Sequence, residues 1–200
     1  MAETGTRRLV VSEFVTLDGV MQAPGAEDKD VEGGFKHGGW QTPYFDDAGM
    51  NAAVEEAMAA TDTLLLGRKT YDIFARYWPT SKDPMAGRMN AFTKYVASTT
   101  RDKLDWQRSI LIKGDVGPEI ARLKRQPGRD LLVFGSSQLV QTLLRHELVD
   151  ELLLMTHPVI LGSGKRLFAE ESDRLGSFEL VGTQPTPKGV IVARYRLTQP

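Results

Sequence analysis

Three short stretches place glycine, hydroxyl side chains or cations where apolar runs end: Gly67-Arg68-Lys69-Thr70, Ser98-Thr99-Thr100-Arg101 and Gly135-Ser136-Ser137-Gln138. Where a strand gives way to a helix, small residues leave first-turn N–H groups free to face an anion. In open α/β sheets ligands gather outside the carboxyl ends of the strands. Three such turns side by side could therefore hold a phosphorylated cofactor. Each alone also reads as an ordinary helix start, because Thr70, Ser136 and Ser137 are cap-forming types and Arg68 and Lys69 suit solvated surface. Arg101 offers the planar fork that complements a phosphate monoester such as the 2′-phosphate of NADP.

Other chemistry is limited by what the chain contains. There are no cysteines, which removes thiolate nucleophiles and thiolate metal sites. His37, His146 and His157 are scattered without metal-ligand spacing, so no metal is expected. His157, before Pro158, reads as a strand residue. Trp40, Tyr44, Phe45, Tyr71, Tyr77 and Trp78 could wall a pocket for a flat ring, or simply pack the core. Met50 and Met58 read as core filler. Lys36 and His37 are either loop residues or substrate contacts. Gly162 and Gly164 read as a tight loop, with Lys165 and Arg166 either solvated or a phosphate grip.

The elements that would position these residues follow from periodicity. Arg7–Val15 reads as a first strand ending at a Leu17-Asp18-Gly19 turn, and Gln22–Gly39 as a long loop, either a lid or disordered. Met50, Ala53, Val54, Ala57 and Met58 predict a helix over 46–60. The strand TDTLLLG, the helix YDIFARYW, a weak helix near 83–92 and the strands KYVAST and RSILIK come next. VGPEIARLKRQ predicts a helix with Pro118 in its first turn. LLVF then leads through Gly135 into a helix carrying Leu139, Val140, Leu143 and Leu144 on one face. The end is strand-rich: ELLLMTHPVIL, SFELVGTQ and VIVARYRL. In the last of these Arg194 and Arg196 share what should be the wetter face.

At 200 residues, 41% hydrophobic and 26% charged, the chain suits one globular domain spanning 1–200, with 1–6 as a flexible tail. Its 25 basic and 26 acidic residues nearly cancel, which gives no bulk attraction to nucleic acid or membrane. No apolar stretch approaches membrane-spanning length and the start lacks a secretion signal, so a cytoplasmic location is the expectation.

From VSEFVTLDGVM through TLLLGRKTYDIFARYWP and KYVAST to LLVFGSSQLVQTLL and DELLLMTHPVILGSGKRLF, the chain resembles the dihydrofolate reductase superfamily. It looks most like stand-alone relatives of the C-terminal reductase domain of the riboflavin-biosynthesis deaminase/reductase. The resemblance implies an α/β fold: a mixed, mostly parallel sheet flanked by helices, with an antiparallel C-terminal hairpin and NADPH across the strand ends. It places Gly67, Arg68, Lys69 and Thr70 at the phosphates, and Ser98, Thr99 and Arg101 at the adenosine end. Gly135, Ser136, Ser137, Gln138 and Leu139 would meet the pyrophosphate, and Val15, Gly19 and Val20 the nicotinamide. Asp18 is the carboxylate the motif puts near a proton-transfer point, although it also reads as a turn former. Trp40, Tyr44 and Tyr71 are the substrate candidates, and a homodimer is implied. The carboxylate that binds the pterin in dihydrofolate reductases has its equivalent near Asn51. The expected function is NADPH-dependent reduction of a small heterocyclic or carbonyl-like substrate, the alternative being an NADP-binding module of the same fold without that activity.

Overall fold

The computed structural model describes residues 6–168 and 176–198, so all of the anticipated tail except Thr6 lies outside the described residues. In chain order the elements are β1 (Leu9–Thr16), α1 (Ala48–Ala59), β2 (Thr61–Gly67), α2 (Arg68–Tyr77), α3 (Ala86–Ala91), β3 (Thr93–Ala97) and β4 (Ser109–Ile112). Then follow α4 (Val116–Lys124), β5 (Asp130–Phe134), α5 (Ser137–Arg145), β6 (Glu151–His157), β7 (Phe178–Pro185) and β8 (Ile191–Leu197). The strands form one eight-stranded sheet in the order β4-β3-β2-β5-β1-β6-β8-β7. Every pair from β4 to β6 is parallel, whereas β6–β8 and β7–β8 are antiparallel. This is the mixed, mostly parallel sheet with a C-terminal hairpin that the sequence led us to expect.

A sheet covered on both faces needs strands that are apolar on both faces. β5 meets that need with Leu131, Leu132 and Val133, all fully buried, each burial contributing roughly 1.5–3 kcal/mol. β1 divides its residues between two cores. Val10 and Phe14 pack with α1 and α2, whereas Leu9, Val11 and Val15 pack with α4 and α5. Helix starts are set by acceptors: Asp47 Oδ1 takes the Met50 N–H at 3.0 Å and Asp115 Oδ1 the Gly117 N–H at 3.1 Å.

One open reading narrows and one expectation changes. The segment between β1 and α1 is tied down by its own hydrogen bonds. Gln22 Nε2 donates to the carbonyls of Asp30 and Glu32, both at 3.0 Å, and Gln22 Oε1 accepts the Lys165 N–H at 2.9 Å. In β8 the arginine face is not uniformly the wetter one. Arg194 pairs with Glu151, which is 2% exposed, while Ile191 on the opposite face is 41% exposed. An ion pair to a neighbouring strand outweighs simple polarity alternation there.

Candidate functional site

A cleft of about 1100 Å³ opens where β2, β3 and β5 end, against the middle of β1. Chain topology explains its place. β5 lies between β1 and β2, so the turns leaving β2 and β5 stand side by side, and the end of β5 meets β1 at Ser12. Gly67, Arg68, Lys69 and Thr70 line it from the first turn, and Gly135, Ser136, Ser137, Gln138 and Leu139 from the second. Ser98 and Thr99 line it from the end of β3.

The two central turns are bonded reciprocally. Gly67 N–H donates to Ser136 Oγ at 2.9 Å, and Ser136 N–H donates to Thr70 Oγ1 at 2.9 Å. Ser136 holds φ 63°, ψ 45°, and makes no side-chain cap bond to α5. Thr70 lies inside α2, whose N-cap is Gly67. Ser136 thus occupies the N-cap position of α5, but its hydroxyl serves Gly67 N–H and Phe134 O instead of its own helix, while Thr70 lies past the cap of α2 and its hydroxyl serves Ser136 N–H. Gly135 has φ 58°, and a β-carbon there would stand 3.0 Å from Thr70 Oγ1, so a bare backbone is required at this crossing. At the third turn Ser98 Oγ accepts from Thr100 N at 3.2 Å and Arg101 N at 3.0 Å, which folds the turn back on itself.

These features fit a dinucleotide phosphate. The first turns of α2 and α5 present backbone N–H groups and the positive ends of their dipoles, with Arg68 and Lys69 adjacent. Arg101 does not line the cleft; its guanidinium binds Asp72 at 2.6 Å, and Asp72 also meets Arg68 at 3.4 Å. Lys69 pairs with Glu32, and Lys165 holds Glu32 at 2.6 Å and Asp30 at 2.5 Å, so the 22–32 loop is pinned beside the α2 turn. The Lys165 and Lys69 contacts depress the Glu32 carboxyl to about 2.

Several predicted site residues lie elsewhere. Asp18 is not in the cleft lining: its carboxylate accepts from the Thr16 hydroxyl at 2.6 Å, Gly162 N–H at 2.8 Å and Leu161 N–H at 3.3 Å. The Thr16 hydroxyl, then those N–H groups, hold it below the usual carboxylate range. Its oxygens hold the backbone at 161–162 in place. Val15 and Val20 are buried in the cores, and Gly19, at φ 78°, makes the turn between them. Tyr71 is 2% exposed and its hydroxyl accepts Trp106 N–H at 2.9 Å. Trp40 and Tyr44 enclose His157 edge-on, with centroid distances of 5.1 and 5.0 Å. Burial lowers the pKa of that fully buried histidine, which fits its strand position. Of the aromatic candidates, Phe45, Tyr77 and Trp78 do line the cleft.

The sequence reading missed the β1 contribution. Ser12, Glu13 and Phe14 line the cleft. Glu13 is 4% exposed; burial pushes its carboxyl well above the usual range, although the Gly135 N–H bonded to it acts the other way. An ionisable residue within an apolar central strand was the available signal. Met50 keeps its core role at 2% exposure and also faces the cleft.

Comparison with known proteins now bears on this geometry. The sequence profile of the RibD C-terminal domain matches residues 7–192. The chain belongs to the RibD C-terminal domain family. The uncharacterized protein YyaP of Bacillus subtilis (strain 168) is 30% identical over 198 residues, covering 94% of each chain. A protein assigned to riboflavin biosynthesis from Shewanella sp. PV-4 superposes with TM-score 0.72 at 22% identity, covering 96% of this chain and 99% of that one. Dihydrofolate reductase from Enterococcus faecalis, solved with NADP(H), gives TM-score 0.63 at 16% identity over 98% and 99% of the two chains. The dihydrofolate reductase-like fold read from the motifs is thus the fold of this RibD C-terminal chain.

Asn51, the neutral residue noted above, faces the site. Asn51 lines the cleft and its Nδ2 donates to Phe45 O at 2.9 Å. Asp46 pairs with Lys188, and Asp47 caps α1 while accepting Lys188 N–H at 3.2 Å. Neither aspartate lines the cleft.

Proposed function

We propose that this RibD C-terminal protein is an NADPH-dependent oxidoreductase that reduces a small organic substrate, akin in reaction type to pyrimidine reduction in riboflavin biosynthesis. The observation that carries the reading is the pair of joined turns, Gly67–Thr70 and Gly135–Leu139, opening into one cleft with Ser12–Phe14 of β1. Bound NADPH supplies a hydride; the chain's own residues hold the cofactor and keep the reacting end away from water. The α2 and α5 turns would hold the phosphates, with Ser98 and Thr99 at the adenosine end and Arg101 reaching a 2′-phosphate once it leaves Asp72. Phe14 of β1 would border the nicotinamide.

A homodimer in the cytoplasm completes the reading. Leu180 and Val181, 55% and 44% exposed on the edge strand β7, offer an apolar surface for a second copy. Light scattering at micromolar concentration should give twice the chain mass.

The second reading, an NADP-binding module without chemistry, is favoured by the neutral Asn51 where a carboxylate would serve a pterin. The two separate on NADPH consumption in the presence of dihydrofolate, the riboflavin-pathway pyrimidine and a set of carbonyl compounds. Turnover with any of them supports the reductase; saturable NADPH binding with turnover of none supports the module.

A further inference from the structure

Away from the phosphate turns, the cleft continues between α1, α2 and the middle of β1. The side chains there include Phe14, Met50, Val54, Phe74, Trp78 and Met89. Charge is scarce on this arm. Asn51 is neutral, and Asp83 is occupied in holding Met85 N–H at 2.8 Å. The cations nearest its mouth already have partners: Lys29 stands over the Tyr77 ring at 5.4 Å, and Lys69 and Lys165 are paired with Glu32 and Asp30. A phosphate or carboxylate entering here would lose its water without gaining a free cation, a costly transfer.

Two buried donors of this arm meet no acceptor among the described residues, and Glu13 Oε1, also of the cleft lining, is a third buried polar atom without a partner there. Ser12, 1% exposed, has an unpartnered Oγ, and the Trp78 indole N–H is likewise buried without an acceptor. Both residues line the cleft. Indole is a donor only, and a serine hydroxyl can donate. Left unmet, such groups cost stability; met by a ligand's acceptor, they recover it.

We propose that this arm is a subsite for a small, uncharged, mainly apolar molecule bearing a carbonyl oxygen, which accepts from Trp78 Nε1–H and the Ser12 hydroxyl. The inference rests on the reductase reading for what happens to that molecule, but not for its binding. It sets the chain apart from reductases acting on a phosphorylated or carboxylate-bearing heterocycle. A site built to donate to an oxygen discriminates strongly against an analogue lacking it, because its own buried groups then stay unpaired.

The test uses three molecules of one ring: acetylnaphthalene, naphthalene and naphthoate, titrated against the protein by saturation-transfer NMR, with NADPH affinity measured in parallel. Acetylnaphthalene should bind saturably, naphthalene about tenfold more weakly, and naphthoate more weakly again. Trp78→Phe and Ser12→Ala should each weaken acetylnaphthalene roughly tenfold while leaving NADPH affinity in place, which also shows that the variants are folded. With NADPH present, the ketone and not the acid should accelerate cofactor oxidation. Naphthoate binding as tightly as the ketone, no binding of any of the three, or indifference of the ketone to both substitutions would overturn the subsite. Loss of NADPH binding by the unaltered protein would sink the reductase reading and leave the subsite standing.

Discussion

Ser136 Oγ accepts the Gly67 N–H at 2.9 Å, so a hydroxyl on the turn after β5 closes the turn after β2 across 69 residues of sequence. The return bond, Ser136 N–H to Thr70 Oγ1, makes the two turns one unit. Ser136 does this in the left-handed region, a conformation that costs a non-glycine residue of order 1 kcal/mol.

Substituting Ser136 therefore separates two effects. Ser136→Ala keeps the strained backbone and orphans Gly67 N–H, which should cost about 1–3 kcal/mol in denaturant unfolding and weaken NADPH binding. Ser136→Gly loses the same bond but relieves the strain, so it should unfold later than the alanine variant. Equal stability of the alanine variant and wild type would show that the cross-turn bond contributes nothing.

Lys94 is fully buried and donates to the carbonyls of Asn90, Phe92 and Gln107 at 3.1, 2.8 and 3.0 Å, with its ammonium 4.2 Å from the Trp106 ring. Burial, then the Arg108 charge, lowers it from 10.5 to about 8. Between those values the unfolded chain binds the extra proton, so stability should rise with pH from about 8 towards 10.5 and lose that increment as pH falls through 8. The full increment is at most about 3 kcal/mol. Unfolding free energies measured over that range should diverge between wild type and Lys94→Met; parallel profiles would contradict the shift.

Glu13 behaves in the opposite sense. Its folded carboxyl is raised well above 4.5, so the stability it contributes is fully present below the unfolded value and is lost as pH rises through the folded one. Glu13→Gln keeps an acceptor for Gly135 N–H without an ionisable proton and should flatten the alkaline side of the stability profile. Glu13→Leu leaves that N–H unpaired and should cost about 1–3 kcal/mol at neutral pH. A glutamine variant with an unchanged alkaline decline would place the titration on another group.

Arg68 and Arg101 share Asp72. Arg101→Ala should reduce NADPH affinity about tenfold while leaving NADH affinity unchanged, as expected for a charge-assisted contact to one extra phosphate. A parallel fall in both affinities would assign the arginine to the shared part of the cofactor or to the fold alone.

What could be read in the sequence was whatever depends on local pattern. TDTLLLG is β2 residue for residue, and the GRKT and GSSQ turns fall at the strand ends where their small and polar residues placed them. What could not be read depends on direction. Tyr71 and Phe74 sit three residues apart on α2, yet Tyr71 packs inward against Trp106 while Phe74 lines the cleft. Aromatic residues carry no mark that distinguishes core from pocket. Asp18 has the type and motif of a catalytic acid, but residues from the 161–162 loop, some 143 positions away, take up its oxygens. Glu13 shows the reverse case, a site residue hidden in a strand that was read only for its apolar run.

Whether the joined turns hold NADPH is tested most directly by calorimetric titration of the purified protein with NADPH and with NADH. The expected result is saturable binding of one NADPH per chain, with NADH weaker by about tenfold or more. Absence of saturable heat with either nucleotide, or equal affinities for the two, would contradict the assignment of this cleft to NADPH.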